Sequence, residues 1–266
     1  MLLKQNVDAK FNDWIVRPKP NPAAHIRLFC FSYAGGGAVI FRMWPHDLDP
    51  DIEVCAVQLP GRESRFRETP FTNLSPLVQT LTQVLEPYLD KPFAFFGHSM
   101  GALICFELVA QLRSQSGLLP VQLFVSARRA PQIPDPLPPI HQLPENEFLT
   151  ELRRRYNGIP EAVLQNPDLL QLMLPMLRAD FAALETYVYS APAPLQCPIA
   201  AFGGSHDVTV DRAQLEAWRI QTQSAFTLQM LPGDHFFLRR SQAILLQAIS
   251  RYVSVEMERQ NGSRAR

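Results

Sequence analysis

Phe93-Ala94-Phe95-Phe96-Gly97-His98-Ser99-Met100-Gly101 is the stretch that decides how this chain of 266 residues folds. The apolar run before Gly97 reads as a short buried strand. The run from Ala102 to Leu112 is amphipathic at helical spacing, so the residues between form a sharp strand-to-helix turn. A G-x-S-x-G turn of that kind holds its serine in a strained conformation at the tip, with glycines on either side so that strand and helix approach closely. As a bare pattern it also arises by chance, and its meaning comes from the strand before it and the helix after it.

The same alternation extends in both directions. Toward the N-terminus lie a strand over His25 to Tyr33, the loop Ala34-Gly35-Gly36-Gly37, a short helix near Ala38 to Trp44 and a strand over Ile52 to Leu59. From Leu74 to Leu89 apolar residues recur at helical spacing, with Pro92 just beyond. Toward the C-terminus a helix over Met100 to Ser116 stops at Gly117, and a strand covers Gln122 to Ala127. Strands over Cys197 to Phe202 and Phe226 to Leu231 enclose a helix at Ala213 to Thr222, and a last helix spans Phe237 to Val255. Near-continuous apolar strands separated by helices predict an α/β fold with a mostly parallel central sheet flanked by helices on both faces.

The alternation breaks between Ala130 and Pro194. Pro131, Pro134, Pro136, Pro138 and Pro139 make an extended linker, followed by helical patterns near Glu145 to Arg155 and Pro167 to Tyr189. The second pattern has more apolar positions than one stripe needs, so it reads either as an ordinary core helix or as a lid whose Met and Leu side chains receive an acyl chain. The expected organisation is an N-terminal arm over 1–24, one domain over 25–255 with a lid insertion at about 131–190, and a disordered tail over 256–266.

Lys and Arg total 25 against 25 Asp and Glu, so no global field attracts nucleic acid or an anionic membrane. No apolar run reaches the length of a membrane span, and residues 1–13 lack a signal-peptide pattern, so a cytoplasmic protein is expected. Cys30, Cys55, Cys105 and Cys197 are widely spaced in apolar runs, which predicts buried thiols and no metal site. No coiled-coil repeat is visible, and a monomer is expected.

A nucleophilic serine needs a base within hydrogen-bond reach and a carboxylate to orient that base. Asp207 and His235 each follow a strand in a glycine-containing turn, at the sheet edge where Ser99 also lies. Ser, Asp, His is the chain order of an α/β-hydrolase. Asp211 and Asp234 are the rival acids, and His98 reads as a structural residue on the opposite side of the turn. An oxyanion hole needs two amide donors, for which the candidates are Met100 after the nucleophile and Ala34 in the glycine loop. That loop matches neither phosphate-binding glycine pattern.

Phe31-Ser32-Tyr33-Ala34-Gly35-Gly36-Gly37, Gln58-Leu59-Pro60-Gly61-Arg62-Glu63, Gly97-His98-Ser99-Met100-Gly101-Ala102, Arg178-Ala179-Asp180-Phe181, Gly203-Gly204-Ser205-His206-Asp207 and Gly233-Asp234-His235-Phe236-Phe237, taken in order, resemble the external type II thioesterases that accompany nonribosomal peptide and polyketide synthases. The resemblance implies an α/β-hydrolase fold with a helical lid and the triad Ser99, Asp207 and His235. It also implies a stand-alone enzyme that removes acyl or aminoacyl groups from the phosphopantetheine arm of carrier proteins, with no cofactor of its own. Ser32 and Tyr33 stand where the family more often has Pro or His. Arg62 and Glu63 match the motif without an evident catalytic role, and a structural ion pair is the competing reading. The alternative functions are a medium-chain fatty-acyl thioesterase, a general esterase with the same triad, and an inactive hydrolase-fold binding protein.

Overall fold

The computed structural model describes residues 12–156 and 166–264. Its strands are β1 (Ile15–Val16), β2 (Ile26–Phe31), β3 (Ile52–Val57), β4 (Phe93–His98), β5 (Gln122–Ser126), β6 (Ile199–Gly204) and β7 (Phe226–Leu231). The α-helices are α1 (Leu74–Leu85), α2 (Met100–Ser116), α3 (Glu145–Tyr156), α4 (Pro167–Glu185), α5 (Arg212–Glu216), α6 (Phe237–Arg240) and α7 (Gln242–Arg264). One seven-stranded sheet runs in the order β1-β3-β2-β4-β5-β6-β7 and is parallel except for β1, which pairs antiparallel to β3. This is the α/β-hydrolase arrangement expected from the sequence.

Burial on both faces explains the apolar strands. On one side α1 and α2 pack on Phe29, Phe31, Phe93 and Phe95; on the other, α7 and the turns around Phe41 and Trp44 pack on Leu28, Ala94, Phe96 and Phe124. Helix α2 has buried residues all around, as a helix between the sheet and α1 must. Gly117 ends it in the left-handed region at φ +71°, where a side chain would be strained.

Several boundaries differ from the sequence reading for local reasons. Helix α1 stops at Leu85 and tightens into a 3-10 turn over Glu86–Tyr88, because Pro87 has no amide to continue the ladder. Strand β6 runs on through Gly203 and Gly204, which pair with Met230 and Leu231. Within the region expected to be a lead-in arm, Trp14 and Ile15 are buried, and the Arg65 guanidinium lies 3.8 Å over the Trp14 ring. The closing helix breaks at Ser241 and then continues to Arg264, past Val255, with Glu256 and Arg259 paired at 2.6 Å where a disordered tail was expected. No helix among the described residues is long and apolar enough to cross a membrane.

Between β5 and β6 the chain leaves the sheet. Helices α3 and α4 form a small core of their own around Phe148, Leu152, Leu174, Leu177 and Phe181. Glu185 ties the start of this region down by accepting from the amides of Ile140 and His141 and lying 2.6 Å from His141 Nδ1. The insertion is thereby built over the carboxyl edge of the sheet.

Candidate active site

Ser99 occupies the tip of the β4–α2 turn at φ +53°, ψ −109°, a conformation that costs a residue with a side chain on the order of 1–3 kcal/mol. Two glycines make the turn possible. A Cβ on Gly97 would lie 2.2 Å from the Gly101 carbonyl carbon, and one on Gly101 would lie 2.2 Å from the Phe31 carbonyl oxygen. The Ser99 amide donates to the Ser126 carbonyl at 2.7 Å, which locks the strained turn to the neighbouring strand.

The loops after β6 and β7 bring Asp207 and His235 to this tip. His235 Nε2 is 3.1 Å from Ser99 Oγ, and His235 Nδ1 is 2.8 Å from Asp207 Oδ2. Because the carboxylate only accepts, Nδ1 carries the proton and Nε2 accepts from the serine hydroxyl. The two loops touch closely: a Cβ on Gly204 would lie 2.2 Å from the Asp234 carbonyl oxygen. Of the rival acids, Asp211 caps α5 by accepting from the Gln214 amide at 2.8 Å, and Asp234 accepts from the Phe236 amide at 2.9 Å.

Asp207 is engaged on its other oxygen as well. Oδ1 accepts from the Thr209 amide at 2.8 Å and the Thr209 hydroxyl at 2.6 Å. Burial pushes its carboxyl up, yet the hydrogen bonds from His235 and Thr209 more than offset this and hold it below the ordinary carboxylate value. Thr209, whose hydroxyl is also 2.9 Å from His235 Nδ1, carries no sequence signal beyond its position two residues after Asp207.

His98 supports the same machinery from behind. Its Nε2 donates to the His235 carbonyl at 2.8 Å and its Nδ1 accepts from the Ser126 hydroxyl at 2.9 Å. Burial, with the neighbouring His235 adding to it, lowers His98 to about 3. The unfolded chain therefore takes up a proton near the ordinary histidine value that the folded one refuses until about pH 3, and stability falls as pH drops through that interval. Urea denaturation of the wild type should lose up to about 1.4 kcal/mol per pH unit below about 6.5 from this residue. His98→Gln should flatten that slope; an unchanged slope would show that His98 titrates normally.

The glycine loop after β2 is clamped by a pair that the sequence reading left open. Arg62 donates to both oxygens of Asp180 on α4, at 2.8 and 2.7 Å, and to the Gly36 carbonyl at 3.1 Å. The Gly35 amide donates to Asp180 Oδ2 at 2.7 Å. Arg62, Asp180 and the Gly36 carbonyl meet in the interior with the half-buried Gly35 amide beside them, so the lid helix and the loop bearing Ala34 are fastened to one buried ion pair. Gly35 sits at φ +80°, and a Cβ there would come within 2.6 Å of Leu177. Glu63 plays a separate part: its carboxylate accepts from the Val39 amide at 3.3 Å, and it has φ +49°. Among the described residues the Ala34 and Met100 amides donate to no protein acceptor.

Above Ser99 and His235 lies a cavity of about 470 Å³. Ala34 and Gly35 form part of its lining, and Leu172, Met173, Met176, Leu177 and Phe181 of α4 supply much of the apolar remainder. Arg239 and Glu63 are its charged residues besides the buried Arg62. The four cysteines are all buried, and burial pushes the thiols of Cys55 and Cys197 up to about 12, which leaves Ser99 as the nucleophile the cavity offers.

The family model described as "Thioesterase domain" matches residues 26–252. The gramicidin S biosynthesis protein GrsT of Aneurinibacillus migulanus is 48% identical over 239 residues, covering 90% of this chain and 93% of its own. The medium-chain S-acyl fatty acid synthase thioesterase of Rattus norvegicus is 35% identical over 230 residues, covering 83% of this chain and 84% of its own. Among solved structures, the type II thioesterase BorB from the borrelidin biosynthetic cluster superposes with a TM-score of 0.79 at 35% identity, covering 90% of this chain and 95% of its own.

Proposed function

Since the chain belongs to the thioesterase domain family, we propose that it is a serine thioesterase that removes acyl or aminoacyl groups from the phosphopantetheine arm of carrier proteins, in the manner of type II thioesterases of nonribosomal peptide and polyketide synthesis. The observation that carries this reading is the connected Ser99–His235–Asp207 chain at the floor of an apolar cavity. The gramicidin S and borrelidin relatives support the biosynthetic setting.

In this mechanism His235 Nε2 takes the Ser99 proton as Oγ attacks the thioester carbonyl, and Asp207 stabilises the imidazolium. The amides of Ala34 and Met100 hold the oxyanion, each worth about 3 kcal/mol in such sites. The carbon–sulfur bond breaks and the pantetheine sulfur takes the proton from the His235 imidazolium as it departs, which returns the histidine to its neutral form; a thiol of pKa about 8.5 depends on that transfer less than an amine would. Water, deprotonated by the same histidine, then frees the acid and restores Ser99.

The test compares one acyl group on a carrier protein, on coenzyme A and on a simple alcohol. A kcat/KM well above the others for the carrier-bound form supports the reading, whereas equal rates on all three favour a general esterase. A second comparison probes the cavity. Met173→Trp fills space beside the acyl path, and each excluded methylene is worth about 0.8 kcal/mol, so the ratio of decanoyl to propionyl kcat/KM should fall by about tenfold or more. An unchanged ratio would remove α4 from acyl recognition.

A further inference from the structure

Beside the acyl cavity lies a second one, of about 330 Å³, between the proline linker and the residues that follow α4. Tyr156, Phe181 and Leu184 line both, so the two chambers share a wall. That wall is close to the chemistry: the Tyr156 ring meets the His235 ring edge-on with centroids 5.4 Å apart.

Arg128 lines the second chamber, two residues after β5 at the carboxyl edge of the sheet. Ala127 before it is held at φ +50°, an uncommon state for a residue with a side chain. Arg128 is half-buried; its Nε is sealed from solvent and has no hydrogen-bond partner among the described residues, and the carboxylate near enough to act on its guanidinium, Asp135, is held by Arg129 rather than by an ion pair with Arg128. The other charged side chains lining the chamber are matched. Asp135 lies 2.7 Å from Arg129 Nη1, Arg155 2.9 Å from Glu151, and Glu185 2.6 Å from His141. The Tyr187 and Tyr189 hydroxyls donate to Glu107 and Gln221.

A guanidinium whose Nε is sealed in the chamber wall with no acceptor has donor capacity to spare, and sealed polar groups are normally satisfied. Burial pulls the Arg128 guanidinium below the ordinary arginine value. Its planar fork matches the two oxygens of a carboxylate. The rest of the lining includes Ile133, Val188 and prolines, which suits a small organic acid better than a hydrated inorganic anion. We propose that this chamber binds a carboxylate held by Arg128, either the far carboxylate of a dicarboxylic acyl group or a separate organic acid. The acyl-linked form rests on the thioesterase reading; the separate acid does not.

Two measurements on the full chain test this, with Arg128→Gln and Arg128→Lys beside the wild type. Calorimetry with glutarate reads binding of a separate acid. The ratio of adipyl to hexanoyl thioester kcat/KM reads the acyl-linked carboxylate, and hexanoyl turnover alone reports on the thioesterase reading. In Arg128→Gln, glutarate affinity or the adipyl ratio should fall by about tenfold or more, and Arg128→Lys, which keeps the charge without the fork, should fall between. Loss in the first assay identifies a separate acid, and loss in the second an acyl-linked one. Replacing a half-buried guanidinium that forms no ion pair among the described residues should also leave Tm equal or higher. If the wild type binds no glutarate and the adipyl ratio is the same in all three proteins, the site does not exist. A lowered Tm in Arg128→Gln likewise overturns the proposal, because Arg128 would then have a structural partner.

Discussion

Ser99→Ala is expected to lower kcat for acyl-carrier hydrolysis by on the order of 10⁶ while leaving the fold intact. Only the Oγ is lost. Alanine bears the same strained backbone no worse than serine, and the amide of residue 99 still donates to the Ser126 carbonyl. Without Oγ no acyl-enzyme forms, and His235 can at best activate water from a position set for a hydroxyl 3.1 Å away. Single-turnover assays with a labelled acyl carrier would show bound substrate and no transfer of label to the enzyme. Residual turnover within about tenfold of the wild type would place the nucleophile elsewhere.

Asp180→Ala should be the most damaging substitution outside the triad. It strands the Arg62 guanidinium in the interior and takes the acceptor from the Gly35 amide. Breaking one side of a buried pair typically costs about 3–5 kcal/mol, which for a chain of this size lowers Tm by about 10 °C. Activity should suffer separately, because Gly35 adjoins Ala34. A misplaced oxyanion donor costs on the order of 10²–10³ in kcat. The double variant Arg62→Met, Asp180→Leu should recover much of the stability, since neither charge is left unpaired, but little of the activity, since nothing holds the Gly35 amide. Thermal melts and turnover of the three proteins separate these effects. A wild-type melt for Asp180→Ala would mean that the pair does not join lid and loop.

The titration of the Asp207 carboxylate offers a milder check. Its carboxyl is held below the ordinary value in the folded protein, so it contributes stability that is present above about pH 4 and lost as pH falls further. Asp207→Asn should remove that acid-side loss, read from urea midpoints below about pH 4.

Much of this architecture is legible in the chain because its signals are local. The strand β4, its glycine turn and α2 come from apolar patterning and from glycines whose missing side chains prevent contacts near 2.2 Å. The loops after β6 and β7 are marked by Gly203-Gly204 and Gly233, and parallel strands necessarily bring such loops to one edge. What is not legible joins residues far apart in sequence. Arg62 and Asp180 are 118 positions apart, and His98 and the His235 carbonyl 137. No periodicity records such pairings. The sequence favours Asp207 over Asp211 and Asp234, but its 2.8 Å approach to His235 is a matter of how the two loops after β6 and β7 fold in space.

The sequence by itself therefore determined the alternation of strand and helix, the tight turn at Ser99 and the set of residues from which a triad can be drawn. These depend on steric and hydrophobic preferences over a few residues. Only the tertiary structure decided which groups meet: the Asp180 carboxylate that fastens the lid to the oxyanion loop, the buried imidazole of His98 behind His235, and the Arg128 guanidinium that forms no ion pair among the described residues. Those outcomes turn on burial and on partners brought together by the whole fold, because the energy of a charge or a hydrogen bond is set by what surrounds it.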